Sequence, residues 1–219
     1  MTAFSAVNIR SLGLTEYSET FEEMKNFTKL RTSDTVDEIW FTEHHPVFTQ
    51  GIAGKKEHIL VPGEIPIVHS DRGGQVTYHG PGQVMGYLLF DLRRKKVSVR
   101  ELVFKIEQSI ICTLRELAID GERLIGAPGI YVDSKKIASL GLRVSRGCSY
   151  HGLSLNVNMD LEPFQRINPC GLTNIGVTQI SELVASPVHQ IEELLLKAIG
   201  QEFGFSSFHK LGNSRVSRF

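Results

Sequence analysis

The chain has 219 residues, 41% hydrophobic and 22% charged, which are ordinary globular proportions and suit one domain. Lys+Arg 24 balance Asp+Glu 24, so no global field points to nucleic acid or an anionic membrane as a partner. The first residues carry Arg10, Glu16 and Glu19 instead of a signal peptide's apolar core, and no run approaches the roughly 18 residues of a membrane span, so a cytoplasmic location is expected. Three cysteines, Cys112, Cys148 and Cys170, with no C-x-x-C pair, argue against a disulfide framework and a thiolate zinc site.

In chain order, Val7–Arg10 reads as a short strand, and Tyr17, Phe21, Met24 and Phe27 recur at helical spacing behind Thr15, the expected cap. Asp37–Thr42 reads as a strand that runs into His44-His45-Pro46. Adjacent histidines suggest a metal, but neighbours on a strand point to opposite faces, so no metal is expected there. The apolar run Ile65–Val68 then leads into Arg72-Gly-Gly-Gln-Val-Thr-Tyr-His-Gly-Pro-Gly-Gln83, and Val84–Phe90 leads out as a buried strand. Four glycines and a proline among these twelve residues predict a shaped loop, since glycine permits positive φ and proline removes a donor. Its glycines let backbone N–H groups approach a ligand, and Arg72, Thr77, Tyr78 and His79 add side-chain donors. An anion, a carbonyl or a long thin ligand would suit it. Neither a Gly-x-Gly-x-x-Gly turn nor a Gly-Lys-Ser/Thr loop for nucleotides is present.

Arg93-Arg94-Lys95-Lys96 is either a solvated turn or a contact for an acidic partner protein. Val99, Leu102, Val103, Ile106, Ile110, Leu114 and Leu117 give the clearest amphipathic helix, opened by Ser98 and Glu101, with Cys112 as an apolar filler. Gly129–Val132 and Lys135–Val144 flank the turn Asp133-Ser134. The two-residue period of the second strand sets Lys136 on the side of Ala138, Leu140, Leu142 and Val144. A lysine there either snorkels out or has a chemical reason to be buried. Gly147–Gly152 reads as a second polar loop, with Cys148 and His151 as lining or structure, ahead of the strand Leu153–Val157. Cys170 stands between Pro169 and Gly171 in a rigid loop, unlike a core cysteine. Val188, Ile191, Leu195, Ile199 and Phe203 form a last amphipathic helix. Residues 1–205 are expected to form the single domain, and 206–219 a polar, basic tail that is disordered or closes over a partner.

Three motifs carry a resemblance: Arg72-Gly-Gly-Gln-Val-Thr-Tyr-His79-Gly-Pro-Gly-Gln83, Lys136-Ile-Ala-Ser139-Leu-Gly141, and Asn168-Pro-Cys170-Gly-Leu. In this order and at about this spacing they resemble the octanoyltransferases of lipoate biosynthesis. The resemblance implies an α/β fold with a mixed, largely antiparallel sheet and packed helices, similar to the biotin/lipoate protein ligase catalytic core. It implies transfer of an octanoyl group from octanoyl-acyl carrier protein to a lysine of lipoyl domains, those of 2-oxoacid dehydrogenase complexes and the glycine cleavage H protein. Cys170 and Lys136 are then the catalytic dyad. The acyl group would meet the loop residues Arg72, Gly73, Gly74, Gln75, Val76, Thr77, Tyr78 and His79, together with Ser139, Leu140, Gly141, Gly152, Leu153 and Ser154. His79 and backbone donors near Gly74 and Gly141 would orient the carbonyl or hold its oxyanion. No cofactor is expected, because amide formation from a thioester is downhill without ATP. The competing readings are an ATP-dependent lipoate ligase, a non-catalytic module that binds acylated carriers, and a thioesterase.

Overall fold

The computed structural model describes residues 6–168, 176–184 and 188–212. Its strands are β1 (Ala6–Thr15), β2 (Asp37–His44), β3 (Val47–Gln50), β4 (Ile67–His69), β5 (Val76–His79), β6 (Gln83–Leu89), β7 (Glu122–Leu124), β8 (Ala127–Val132), β9 (Lys135–Ser145), β10 (Cys148–Asn156) and β11 (Ser207–Lys210). The helices are α1 (Tyr17–Leu30), α2 (Leu92–Lys95), α3 (Val99–Glu116) and α4 (Val188–Phe203). An eight-stranded sheet runs β11-β1-β2-β6-β10-β9-β8-β7, and a three-stranded one runs β4-β3-β5. β1 pairs in parallel with both β2 and β11, and every other neighbour in the large sheet is antiparallel. The fold is therefore the mixed, mainly antiparallel α/β architecture that the resemblance implied. None of the described helices is long and apolar enough to cross a membrane.

Both faces of the large sheet are covered, and the strand alternation shows it. On β2, Ile39 and Phe41 join the cluster under α3 and α4, whereas Trp40 between them packs with Tyr17, Phe21 and Met24 of α1. On β6, Val84 and Leu88 take the first side and Met85, Tyr87 and Leu89 the second. α3 opens with a full capping box, in which the Ser98 hydroxyl accepts from the Glu101 N–H and the Glu101 carboxylate from the Ser98 N–H.

Several expectations change. Thr15 does not cap α1: the N-cap is Glu16, without a side-chain bond, and the Thr15 hydroxyl joins Thr20, Thr42 and His44 instead. The stretch Gly147–Gly152 is loop only at its turn, since β10 begins at Cys148. Likewise Val76–His79 inside the glycine-rich segment is strand β5, paired with β3. The segment read as a tail begins with β11, which adds a strand to the sheet edge. Within the cationic run, Arg94 and Lys95 turn inward to Asp37, at 2.6 and 3.5 Å, beside Arg31 at 2.5 Å. Half of that run is thus an internal ion cluster and unavailable to a partner.

Candidate active site

The glycine-rich segment lies across the middle of β9 and β10. Gly141 and Gly152 stand opposite each other in the antiparallel register there. Neither has room for a side chain: a Cβ on Gly152 would lie 2.0 Å from the Gly86 carbonyl oxygen of β6, and one on Gly141 3.0 Å from Arg72 Cδ and 3.1 Å from the Gly73 carbonyl oxygen. The Gly73 N–H donates to the Leu142 carbonyl at 2.8 Å and fixes the loop over this thin patch. Between loop and sheet runs a narrow cavity of about 50 Å³. Arg72, Gly74, Gln75, Val76, Thr77 and His79 line it from the loop side, and Ser139, Leu140, Gly141, Gly152, Leu153 and Ser154 from the sheet. Tyr17, Met85, Tyr87 and His151 complete the wall; of these the sequence offered only His151, as lining or structure. Tyr17 and Met85 read there only as apolar positions of a helix and a strand. Gly73 and Tyr78 do not line the cavity. Tyr78 turns to the other side of β5, its ring 5.6 Å from Phe48 and 5.5 Å from Phe164.

The Arg72 guanidinium braces the loop. It donates to the Thr49 hydroxyl and carbonyl at 2.8 and 2.5 Å, to the Gln75 carbonyl at 2.8 Å and to the Gly73 carbonyl at 3.0 Å. The Thr49 hydroxyl stands 3.1 Å from His79 Nε2, and His79 Nδ1 donates to Gln83 Oε1 at 2.7 Å. Because Gln83 Oε1 only accepts, Nδ1 carries the proton and Nε2 accepts from Thr49. Gln83 Nε2 donates to Asn156 Oδ1 at 2.8 Å, and Asn156 Nδ2 to the Thr178 carbonyl at 3.0 Å. Both ring nitrogens of His79 are therefore engaged inside the protein, and complete burial, aided by the Arg72 charge, drives its pKa far below the usual imidazole range. That corrects the expectation that His79 donates to a substrate carbonyl or oxyanion. It is a buried, neutral strut with its ring stacked on Tyr17 at 5.9 Å.

Two further histidines are buried close by: His151 lines the cavity, and His44 sits behind the wall against Tyr87. His44 donates from Nδ1 to the Thr15 carbonyl at 3.1 Å and accepts from the Tyr87 hydroxyl at 2.6 Å, and burial lowers its pKa to about 4. His45, by contrast, faces outward, 4.0 Å from Glu16. His151, held at φ +59°, donates from Nε2 to Asp71 at 3.0 Å, while Tyr150 donates to the other Asp71 oxygen. Partial burial would raise the Asp71 pKa, but those two bonds outweigh it and bring it down.

Lys136 is buried at the start of β9, 5% exposed. Its Nζ donates to the Pro128 carbonyl at 3.1 Å and lies 5.2 Å from the centre of the Tyr131 ring. Gly129 makes that pocket possible: it sits at φ +128°, and a Cβ there would come within 3.2 Å of Lys136 Cε. Lys136 is not part of the cavity wall, but Ser139, three residues along the same strand, is. The Lys136 N–H donates to the Gly176 carbonyl at 2.8 Å, and the Thr178 N–H to the Lys136 carbonyl at 3.0 Å. Cys170 lies outside the described residues. Of the other cysteines, Cys112 sits on α3 and Cys148 at the opposite end of β10, and neither lines the cavity.

Residues 16–200 match the family of the lipoyl protein ligase A/B catalytic domain. A relative from Marinobacter nauticus, named octanoyltransferase, is 56% identical over 199 residues, 90% of this chain and 94% of that protein. Another octanoyltransferase, from Cellvibrio japonicus, is 51% identical over 209 residues, covering 94% of this chain and 97% of its own length. Among solved structures, a putative lipoate protein ligase from T. acidophilum with bound lipoic acid shares the fold at a TM-score of 0.79 and 14% identity, over 95% of this chain and 90% of that one. The chain belongs to the lipoyl protein ligase A/B catalytic-domain family. Within that family it stands with the octanoyltransferases, and it is an acyltransferase.

Proposed function

We propose that the protein moves an octanoyl group from octanoyl-acyl carrier protein to a lysine of a lipoyl domain by way of a thioester on Cys170. The observation that carries this reading is the buried Lys136, seated in a pocket made for it and stitched through its own backbone to Gly176–Thr178, the segment that follows Cys170. Gly176, bonded to Lys136, is only six residues downstream of Cys170, so the chain can span at most about 20 Å between the two backbones, a tether short enough to allow contact with Lys136. The cavity is small, its 50 Å³ holding roughly four water-sized positions at the volume each needs, which suits a slender ligand.

The chemistry balances with these two residues. The Cys170 proton passes to Lys136, leaving a thiolate beside an ammonium. The thiolate attacks the octanoyl carbonyl carbon, the carrier's carbon–sulfur bond breaks, and Lys136 returns the proton to the departing thiol. The acceptor lysine's neutral amine then attacks the Cys170 thioester. Lys136 takes one amine proton as the amide forms and Cys170 leaves as thiolate, which restores the starting pair. Gln75, Thr77, Ser139 and Ser154 flank the chain, and backbone N–H groups near Gly74 and Gly141 hold the carbonyl oxygen.

Intact-mass analysis after incubation with octanoyl-acyl carrier protein tests the reading. The parent and Cys112→Ala should gain one octanoyl mass that hydroxylamine removes, and Cys170→Ala should gain none. A label that survives Cys170→Ala but vanishes in Cys112→Ala overturns the assignment. Transfer that requires ATP would instead favour a ligase.

A further inference from the structure

A second cleft, of about 390 Å³, opens where the C-terminus of α1 meets α2 and the β9–β10 turn. It is lined by Thr28, Arg31, Asp91, Arg93, Arg146 and Cys148, with Thr32 and Ser33 at the rim. The turn and α2 are stitched together, since the Leu92 N–H donates to the Gly147 carbonyl at 2.9 Å and the Ser149 N–H to the Phe90 carbonyl at 2.9 Å. Arg93 is laid over Gly147, where a Cβ would come within 2.6 Å of its side chain. Arg146 donates to the Thr28 and Lys29 carbonyls at 3.1 and 2.6 Å and so neutralises the negative end of α1.

Two polar groups buried just beneath the lining of this cleft, with almost no accessible surface of their own, have no hydrogen-bond partner among the described residues: the Nε–H of Arg31 and the Thr28 hydroxyl. They sit three residues apart where α1 ends, Thr28 in its last turn and Arg31 at its C-cap. The Arg31 side chain is only 3% exposed, and its terminal nitrogens are engaged by Leu89, Thr35 and Asp37. Burying an N–H and a hydroxyl without partners is costly, which marks a place where a ligand supplies them. Charge decides what kind. Arg31, Arg94 and Lys95 pair with Asp37 and Arg93 with Asp91, and Arg146 adds a fifth cation at the cleft, leaving a surplus of positive charge. Asp91 also lines the cleft, but its Oδ1 is held by the Arg93 and Arg94 N–H groups as the cap of α2.

We propose that this cleft binds an oxyanion of the phosphate class, taking hydrogen bonds from Arg31 Nε, the Thr28 hydroxyl and the guanidinium of Arg93. Its volume exceeds what a bare phosphate fills and suits the phosphate end of a small organic molecule. Thr28 stands eleven residues along α1 from Tyr17, about 17 Å at helical rise, so the site is separate from the acyl cavity.

Calorimetric titration with inorganic phosphate and with glycerol 3-phosphate, each against chloride at matched ionic strength, tests this. The parent should bind saturably at one site. Tighter binding of glycerol 3-phosphate identifies a phosphorylated metabolite as the occupant, and equal binding identifies the free anion. Thr28→Val and Arg93→Ala should each weaken binding about tenfold, the loss of one charge-assisted bond, while octanoyl transfer in chloride stays unchanged. The proposal is overturned if neither phosphate binds beyond chloride. It is equally overturned if Thr28→Val raises the melting temperature yet leaves phosphate affinity intact, because water alone then fills the cleft.

Discussion

Gly141 and Gly152 face each other across β9 and β10, yet one methyl group should act differently at each. At Gly152 the added carbon meets backbone, the Gly86 carbonyl at 2.0 Å, and no rotamer can relieve that. Gly152→Ala should therefore force β6 and β10 apart and cost about 1–3 kcal/mol or more in urea unfolding. At Gly141 the nearest atoms belong to the Arg72 loop, at 3.0 and 3.1 Å, and a loop can yield. Gly141→Ala should leave stability within about 1 kcal/mol of the parent and reduce octanoyl transfer at least tenfold as the cavity deforms. Lys136→Met should slow formation of the proposed Cys170 acyl-enzyme by about 10²–10⁴-fold, the usual worth of a positioned proton-transfer group. It should not lower the melting temperature, since the replacement is apolar, similar in length and already surrounded by Tyr131 and Gly129. A variant that unfolds would instead make Lys136 structural.

At the scale of elements, local pattern and tertiary context divide what the sequence reveals. α3 was legible because its apolar spacing and its Ser98/Glu101 box agree. β5 was hidden inside a run of glycines, which sit on either side of Val76–His79 and leave four strand-compatible residues between them. The first half of β10 was hidden by its polar composition: Cys148 to Gly152 is buried only because β9, β6 and α1 close around it. The motifs did locate the cavity's glycines and small residues. What they could not convey is that Asp71 and His151 bond across eighty positions, or that His79 faces Thr49 and Gln83 and so has no proton to offer a substrate. Such pairings are set by the register of distant strands. The same holds for α2, whose cations read as a surface run until β2 supplies Asp37. Asp37→Asn should strand Arg31, Arg94 and Lys95 and cost about 3–5 kcal/mol by denaturant titration, the price of unpairing a buried charge.

Over the whole molecule, the buried histidines make stability depend on pH in one direction. His44, His79 and His151 are all held below their ordinary pKa, in each case chiefly by burial. The unfolded chain therefore binds protons that the folded one refuses, so the stabilisation is complete above pH 6.5 and drains away as pH falls toward 4. His44 alone, moving from 6.5 to about 4, contributes about 3 kcal/mol of this loss. Melting temperatures measured from pH 7.5 to 4.5 should fall steadily below 6.5, and a flat profile would mean that these imidazoles can be protonated in place.

β11 carries a consequence for handling the protein. The strand hides the outer hydrogen-bonding rim of β1, and the Phe208 ring rests against Gly200, whose missing Cβ would come 2.4 Å from its tip. A chain cut after Phe205 would keep the cavity between the Arg72 loop and β9–β10 but leave β1 as an unguarded template for other molecules. Light scattering should find such a truncation self-associating as its concentration rises, while the full chain stays dispersed.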